Sequence, residues 1–137
     1  MNLKNRKIRI LLWVLFAGSV YLILSKTLLN RTCNDLYPVK LIPFWEFGQW
    51  ISGNGYGEDI IYNILLFIPF GLTLGLIKNS RITIFAGFAL SLSVELLQLI
   101  LRIGWFQTDD IMHNTLGTVI GYVVSGVIRK RIAGKLR

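Results

Sequence analysis

The sequence has little charge: only 16% of its 137 residues are Asp, Glu, Lys or Arg, while 53% are hydrophobic. That leaves too little polar surface to coat a water-soluble globule, so part of the solvent must be lipid. The lone cysteine, Cys33, excludes an internal disulfide framework. No activated serine or cysteine motif and no phosphate-binding loop stands out. The lone histidine, His113, has helical ligand spacing to Asp109 or Asp110. A capping, solvated turn suits one histidine and two carboxylates in so short a stretch, so no metal and no cofactor is expected.

What is abundant is apolar sequence in long runs: Ile10 to Ser25, Ile60 to Ile77, Ile82 to Leu101 and Ile111 to Ile128. A helix crossing ~30 Å of hydrocarbon needs roughly 20 residues, or ~17 at the short end. The last three runs suffice, and the first does once Lys26 snorkels its ammonium outward and the span continues to Leu29. Buried helices of a soluble bundle would keep a polar face that these lack. Basic residues precede the first run, as in a signal peptide, but no small-x-small cleavage site follows it, so an uncleaved anchor is expected. Cys33 follows Asn30, Arg31 and Thr32, which does not suit a lipoprotein. The expected fold is therefore all-α: one membrane domain over 1–137, a bundle of about four transmembrane helices.

A net charge of +8 invites a nucleic-acid reading, but the helices divide the basic residues into separate groups, and no nucleic-acid partner is expected. With the N-terminus inside, cytoplasmic segments hold Lys4, Arg6, Lys7, Arg9, Lys78, Arg81, Arg129, Lys130, Arg131, Lys135 and Arg137. Only Lys26, Arg31, Lys40 and Arg102 fall outside, so both termini are expected in the cytoplasm. All seven acids then lie outside or in the outer part of the membrane: Asp35, Glu46, Glu58, Asp59, Glu95, Asp109 and Asp110. That segregation points to an outward-facing polar site. Between the first and second spans runs an aromatic segment, Leu41 to Ile51, whose Phe44, Trp45, Phe47 and Trp50 favour the headgroup region. It reads as an interfacial or re-entrant segment opened by Pro43 and ended by Gly53, Gly55 and Gly57; an ordinary loop with aromatic anchors fits the pattern equally.

Several polar residues interrupt the spans. Ser91, Glu95, Gln98 and Arg102 form one helical stripe that must face protein or water. Glu95 lies about 12 Å below the outer end at ~1.5 Å rise per residue. A lone carboxylate there costs at least ~2.5 kcal/mol, so it requires pairing, hydrogen bonding or a proton. Holding helices together is one role open to it, and serving a functional site is the other. In the fourth span Thr108 or Asp109 can cap the helix, while Asn114, Gly117, Gly121 and Ser125 share a face suited to close packing. The second span carries Asn63, Phe67 and Gly71 at helical spacing, a second close-packing pair in Gly71 and Gly75, and Pro69, which is expected to bend it. Asn63, Glu95, Gln98, Asp110 and Asn114 can thus converge in the outer half of a bundle.

Four ordered motifs carry a family resemblance: Leu41-Ile-Pro43-Phe44, Asn63-Ile-Leu-Leu-Phe67-Ile-Pro69-Phe-Gly71, Glu95-Leu-Leu-Gln98, and Asp109-Asp110-Ile-Met-His-Asn114-Thr115-Leu116-Gly117. Together they make residues 41–122 resemble VanZ-like proteins. Where that family commonly has an arginine just before the paired aspartates and an acidic residue two positions before the first of them, this chain has Gly104-Trp105-Phe106-Gln107-Thr108, and Arg102 is a candidate replacement for the positive charge. The resemblance implies lowered susceptibility to teicoplanin-type glycopeptides in a Gram-positive plasma membrane. On this reading Asn63, Glu95, Gln98, Asp109, Asp110 and Asn114 bind a membrane lipid, a lipid-linked cell-wall precursor or a lipoglycopeptide without catalysis. An enzyme modifying an envelope lipid, with Glu95 or Asp110 as general base, is the alternative, and a small transporter or partner subunit is a third class.

The division of basic residues generates a direct test. In a Cys33→Ala background, Asn54→Cys is expected to react with a membrane-impermeant maleimide in intact cells, while Ser80→Cys and Lys135→Cys stay shielded. Reaction of position 80 or 135 from outside would reverse the topology.

Overall fold

Apolar runs of this length have one low-energy solution in hydrocarbon, because a helix satisfies its own backbone groups. The computed structural model, which describes residues 5–29 and 39–134, follows that rule. In chain order it contains α1 (Arg6–Leu24), β1 (Val39–Lys40), α2 (Trp45–Ile51), α3 (Gly57–Lys78), α4 (Ile82–Leu101), β2 (Phe106–Gln107) and α5 (Thr108–Gly134). Four helices are long and apolar enough to cross a membrane, the first continuing through a π-helical turn, Ser25–Leu29. That continuation is the extension to Leu29 expected from the snorkelling of Lys26. Lys4, Arg31, Cys33, Asp35, Lys135 and Arg137, which entered the topology and leader arguments, lie outside the described residues.

The packing is inverted relative to a soluble bundle. Large apolar side chains such as Leu15, Leu22, Leu65, Phe85, Ile100 and Val123 face outward, whereas Ser19, Thr83, Ser91, Glu95, Gln98, Asn114, Thr118 and Ser125 are buried. Lipid is as apolar as leucine, so helix association rests on close approach and internal hydrogen bonds. The apolar core is small, with Ile23, Phe67, Phe70 and Val94 joining α1, α3 and α4.

The tightest pairing is between α3 and α5, which run parallel: Asn63 lies against Asp110, Gly71 against Thr118 and Gly75 against Ser125, climbing both helices together. The small residues read from the sequence make this contact. A Cβ at Gly71 would collide with the backbone of Thr118, one at Gly117 with the Ile64 carbonyl and one at Gly121 with the Ile68 carbonyl. Helix α4 joins the pair through Gly87, which receives the Thr118 side chain. Helix α3 runs unbroken through Pro69. At its far end the Arg129 guanidinium donates to the Leu76 carbonyl at 2.8 Å, capping one of the acceptors every helix C-terminus leaves over.

The connection between the first two spans folds back on the bundle. Its β1 pairs in parallel with β2, Val39 opposite Phe106 and Lys40 opposite Gln107. Helix α2 follows, and Gly53 and Gly55, both at positive φ, turn the chain out of it. Gly57 starts α3, with the Trp50 indole packed where a side chain would go.

Close approach of α3 and α5 has a measurable consequence. Gly71→Ala and Gly121→Ala are each expected to destabilise the protein in detergent by ~1–3 kcal/mol or more, because the added methyl meets backbone. Gly126→Ala, with open space around its Cβ, should be neutral or mildly stabilising in thermal unfolding monitored by circular dichroism.

Candidate functional site

Three helices begin at the same end of the bundle, and each carries acid in its first turn: Glu46 on α2, Glu58 and Asp59 on α3, Asp109 and Asp110 on α5. Unpaired N–H groups give a helix N-terminus about half a positive charge, so carboxylates are favoured there by ~0.3–1 kcal/mol each. Convergent N-termini therefore permit an acidic cluster that the middle of the membrane would not.

The cluster is assembled by Asp109. Its Oδ1 accepts from the Phe44 N–H at 2.6 Å and its Oδ2 from the Glu46 N–H at 2.8 Å, so both oxygens cap the start of α2. The capping role expected for Asp109 on its own helix is exercised on a different one. The bond also holds Phe44 at φ 61°, a left-handed conformation that a bulky residue adopts only under constraint. Fixed in this way, Glu46 turns inward, 2% exposed, towards Asp110 and His113.

Beside this cluster lies a cavity of about 300 Å³ lined by Lys26, Thr27, Lys40, Glu46, Tyr56, Asp59, Tyr62, Asn63, Trp105, Gln107 and Asp110. Asn63 donates to Asp110 Oδ1 at 2.7 Å, uniting α3 and α5 at its wall. Lys40 supplies a positive charge. Its ammonium sits 3.9 Å from the Trp45 ring centre, 4.1 Å from Trp105 and 5.3 Å from Tyr56. Burial lowers the Lys40 pKa, opposed by the fields of Glu46, Asp110 and Asp109. Burial and the neighbouring charges of Asp110, Asp109 and Asp59 push Glu46 up to about 7, with Lys40 working the other way. Glu46 is thus poised to exchange a proton near neutrality.

The convergence read from the sequence is divided in two. Asn63 and Asp110 meet at the cavity, whereas Glu95, Gln98 and Asn114 are buried but absent from this lining. Glu95 Oε2 accepts from the Gln107 N–H, Gln98 Nε2 donates to the Thr27 carbonyl in the π-helical turn, and Asn114 Nδ2 donates to Ser91 Oγ, all at 2.9 Å. These bonds tie β2 to α4, the first span to α4, and α4 to α5. Among the aromatic anchors, Phe44, Phe47 and Trp50 are exposed, while Trp45 is half-buried edge-on to Tyr56.

Lys40, Glu46, Tyr56, Trp105 and Gln107 were not singled out as site residues from sequence. Glu46 did leave a signal, as the one acid within an aromatic run of eleven residues. Lys40 is carried to the paired aspartates by the pairing of β1 with β2, close enough for the fields of Asp110 and Asp109 to act on it.

The fold and cavity define a multi-pass helical membrane protein with an acidic, amide-bearing site at one end of a parallel helix pair. A family model described as VanZ/LLP1 matches residues 8–129, and the chain belongs to that family. It is 31% identical over 129 residues to Protein VanZ of Enterococcus faecium, an alignment covering 91% of this chain and 72% of that protein. No solved structure matches it significantly.

The two bonds accepted by Asp109 give a prediction. Hydrogen bonds to a charged group are worth about 1.5–3 kcal/mol, so Asp109→Ala should free the start of α2 while leaving the spans helical. Hydrogen exchange over residues 44–51 is expected to quicken at least ~10-fold relative to α3, a factor corresponding to ~1.4 kcal/mol. Unchanged protection would show that α2 is held by other contacts.

Proposed function

We propose that this protein acts at the outer leaflet by binding an amphiphile, either a lipid-linked cell-wall precursor or a lipoglycopeptide, and so lowers susceptibility to teicoplanin-type antibiotics. One juxtaposition carries the reading. The polar cavity adjoins the aromatic segment of Phe44 and α2, whose Phe44, Phe47, Trp50 and Ile51 are exposed, which suits a ligand with a polar head and an apolar tail. Membership of the VanZ/LLP1 family and the likeness to Protein VanZ support the connection to resistance. The division of basic residues supports placing this end outside, with both termini in the cytoplasm.

A second reading has one specific observation in its favour. Glu46, at the cavity wall with a pKa of about 7, has the acidity that general acid–base chemistry on an envelope lipid would use. Asp110 is at the same wall, whereas Glu95 is not, so Asp110 is the better placed of the two general bases inferred from sequence. Incubation with labelled envelope lipids separates the readings, because turnover supports the enzyme and saturable binding without turnover supports the binder.

An acyl chain buried in a bilayer gains about 0.8 kcal/mol per methylene, which concentrates a lipid-bearing glycopeptide at the depth of the aromatic segment. Production in a sensitive Gram-positive host is therefore expected to raise tolerance to teicoplanin more than to vancomycin. Phe47→Ser combined with Ile51→Ser, at side chains 46% and 71% exposed, should narrow the difference without altering the cavity lining. Equal protection against both drugs would remove the role given to the aromatic segment.

A further inference from the structure

Glu46, Asp110 and His113 hold an unusual relation. Each offers a donor atom, the three donors lie within 4.8 Å of one another, and Glu46 and Asp110 are buried. Glu46 Oε2 and His113 Nδ1 face each other at 3.5 Å, yet neither makes a hydrogen bond to the described residues. Glu46 is 2% exposed, so this is a buried carboxylate oxygen aimed into the cluster without a donor. Leaving such an atom unsatisfied costs several times what an ordinary hydrogen bond contributes. Two donors on one tetrahedral ion at 2.0–2.2 Å stand about 3.4 Å apart, which matches the 3.5 Å between Glu46 Oε2 and His113 Nδ1.

We infer that Glu46, Asp110 and His113 form a site for a divalent transition-metal cation of the zinc class. One imidazole nitrogen and two carboxylate oxygens make a mixed donor set that suits Zn²⁺ better than Mg²⁺ or Ca²⁺, which take oxygen ligands. On α5, Asp110 and His113 are three residues apart and share a face; α2 brings Glu46 to them from a distant part of the chain. From α5 alone, one histidine beside two aspartates reads as a solvated cap. Glu46 changes the donor count, and Asp109 is not required as a ligand because both its oxygens accept backbone N–H groups.

The surroundings have the features of a supporting shell. Asn63 Nδ2 holds Asp110 Oδ1 at 2.7 Å, and the Asp109 clamp sets the position of Glu46. Three protein donors leave a fourth position on a tetrahedral ion. Since Glu46 and Asp110 both line the cavity, that position opens into it, where an anionic oxygen such as that of a phosphate can bind. The cation would give an acidic cavity affinity for a group its carboxylates otherwise repel.

Metal binding can be tested on the full chain in detergent, with no lipid or antibiotic present, so the outcome does not depend on the amphiphile reading. Protein carrying a histidine-free affinity tag is stripped with chelator, titrated with Zn²⁺ and passed through gel filtration. One zinc per chain is expected to remain. Glu46→Gln and His113→Gln should each weaken binding at least ~10-fold and Asn63→Ala about 10-fold, with helical content unchanged. Glu58→Gln, at an acid of the same end outside this cavity's lining, should bind as the parent does. A folded parent that retains no zinc, or equal retention by Glu46→Gln and His113→Gln, would overturn the site. In the Co²⁺ form, the visible absorption should shift on adding inorganic phosphate; an unshifted spectrum would overturn the open position.

Discussion

The Asp109 carboxylate and the two backbone N–H groups it binds at the start of α2 are the constraint on which the cavity-bearing end of the molecule depends. Asp109 is held in the first turn of a span, so its position is set by the packing of α5 against α3. Helix α2 has only seven residues, too few to be stable alone, and takes its place from that anchor. Once α2 is placed, Glu46 faces the bundle and Trp45 meets Lys40 and Tyr56. A single carboxylate thus converts an aromatic connection into one wall of a cavity.

Behind this end is a polar interior that only the absence of water makes economical. Glu95, Gln98 and Asn114 each satisfy a group on another element, and each bond crosses a helix boundary rather than closing within one turn. Glycine at the α3–α5 contact lets backbones approach closely enough for dispersion to act between main chains. These two devices replace the hydrophobic force, which cannot favour association between apolar surfaces already in lipid. The glycine contact also holds the parallel helices α3 and α5 close along their length, so that both N-terminal dipoles and both acidic first turns lie side by side.

How far the sequence reveals this follows from the range of each interaction. Span length and hydrophobicity are local quantities, and the four apolar runs emerge as four membrane-length helices. Glycine and serine at intervals of four identify the close-packing faces for the same reason. The stripe of Ser91, Glu95 and Gln98 marks an inward face, but periodicity cannot say whether a backbone amide or a ligand waits there. Asn63 and Asp110 illustrate a middle case, since each helix face can be read separately while their pairing needs the register of two parallel helices. Lys40 and Glu46 belong to the connection between the first two spans, where no period exists, and their burial results from bonds to residues more than sixty positions away. Sequence could show Glu46 as an acid out of place, not what it was placed against.

The cavity raises a question of scale and charge. At about 300 Å³ it is at the small end for a site enclosing a drug-sized ligand, so a whole glycopeptide would not fit. A headgroup or one sugar-sized portion is of the right size. Charge narrows the choice further. Glu46, Asp59 and Asp110 line the cavity with Lys26 and Lys40, and the Lys40 ammonium is already engaged by Trp45 and Trp105. Two unit charges 4 Å apart interact by roughly 4 kcal/mol at an effective dielectric of 20, so a phosphate entering beside even one ionised carboxylate meets a substantial barrier. A cationic amine would enter without help. A phosphate would require a proton on Glu46 or a cation among the three donors, and either change would turn the same acidic pocket from repelling an anionic headgroup to holding it.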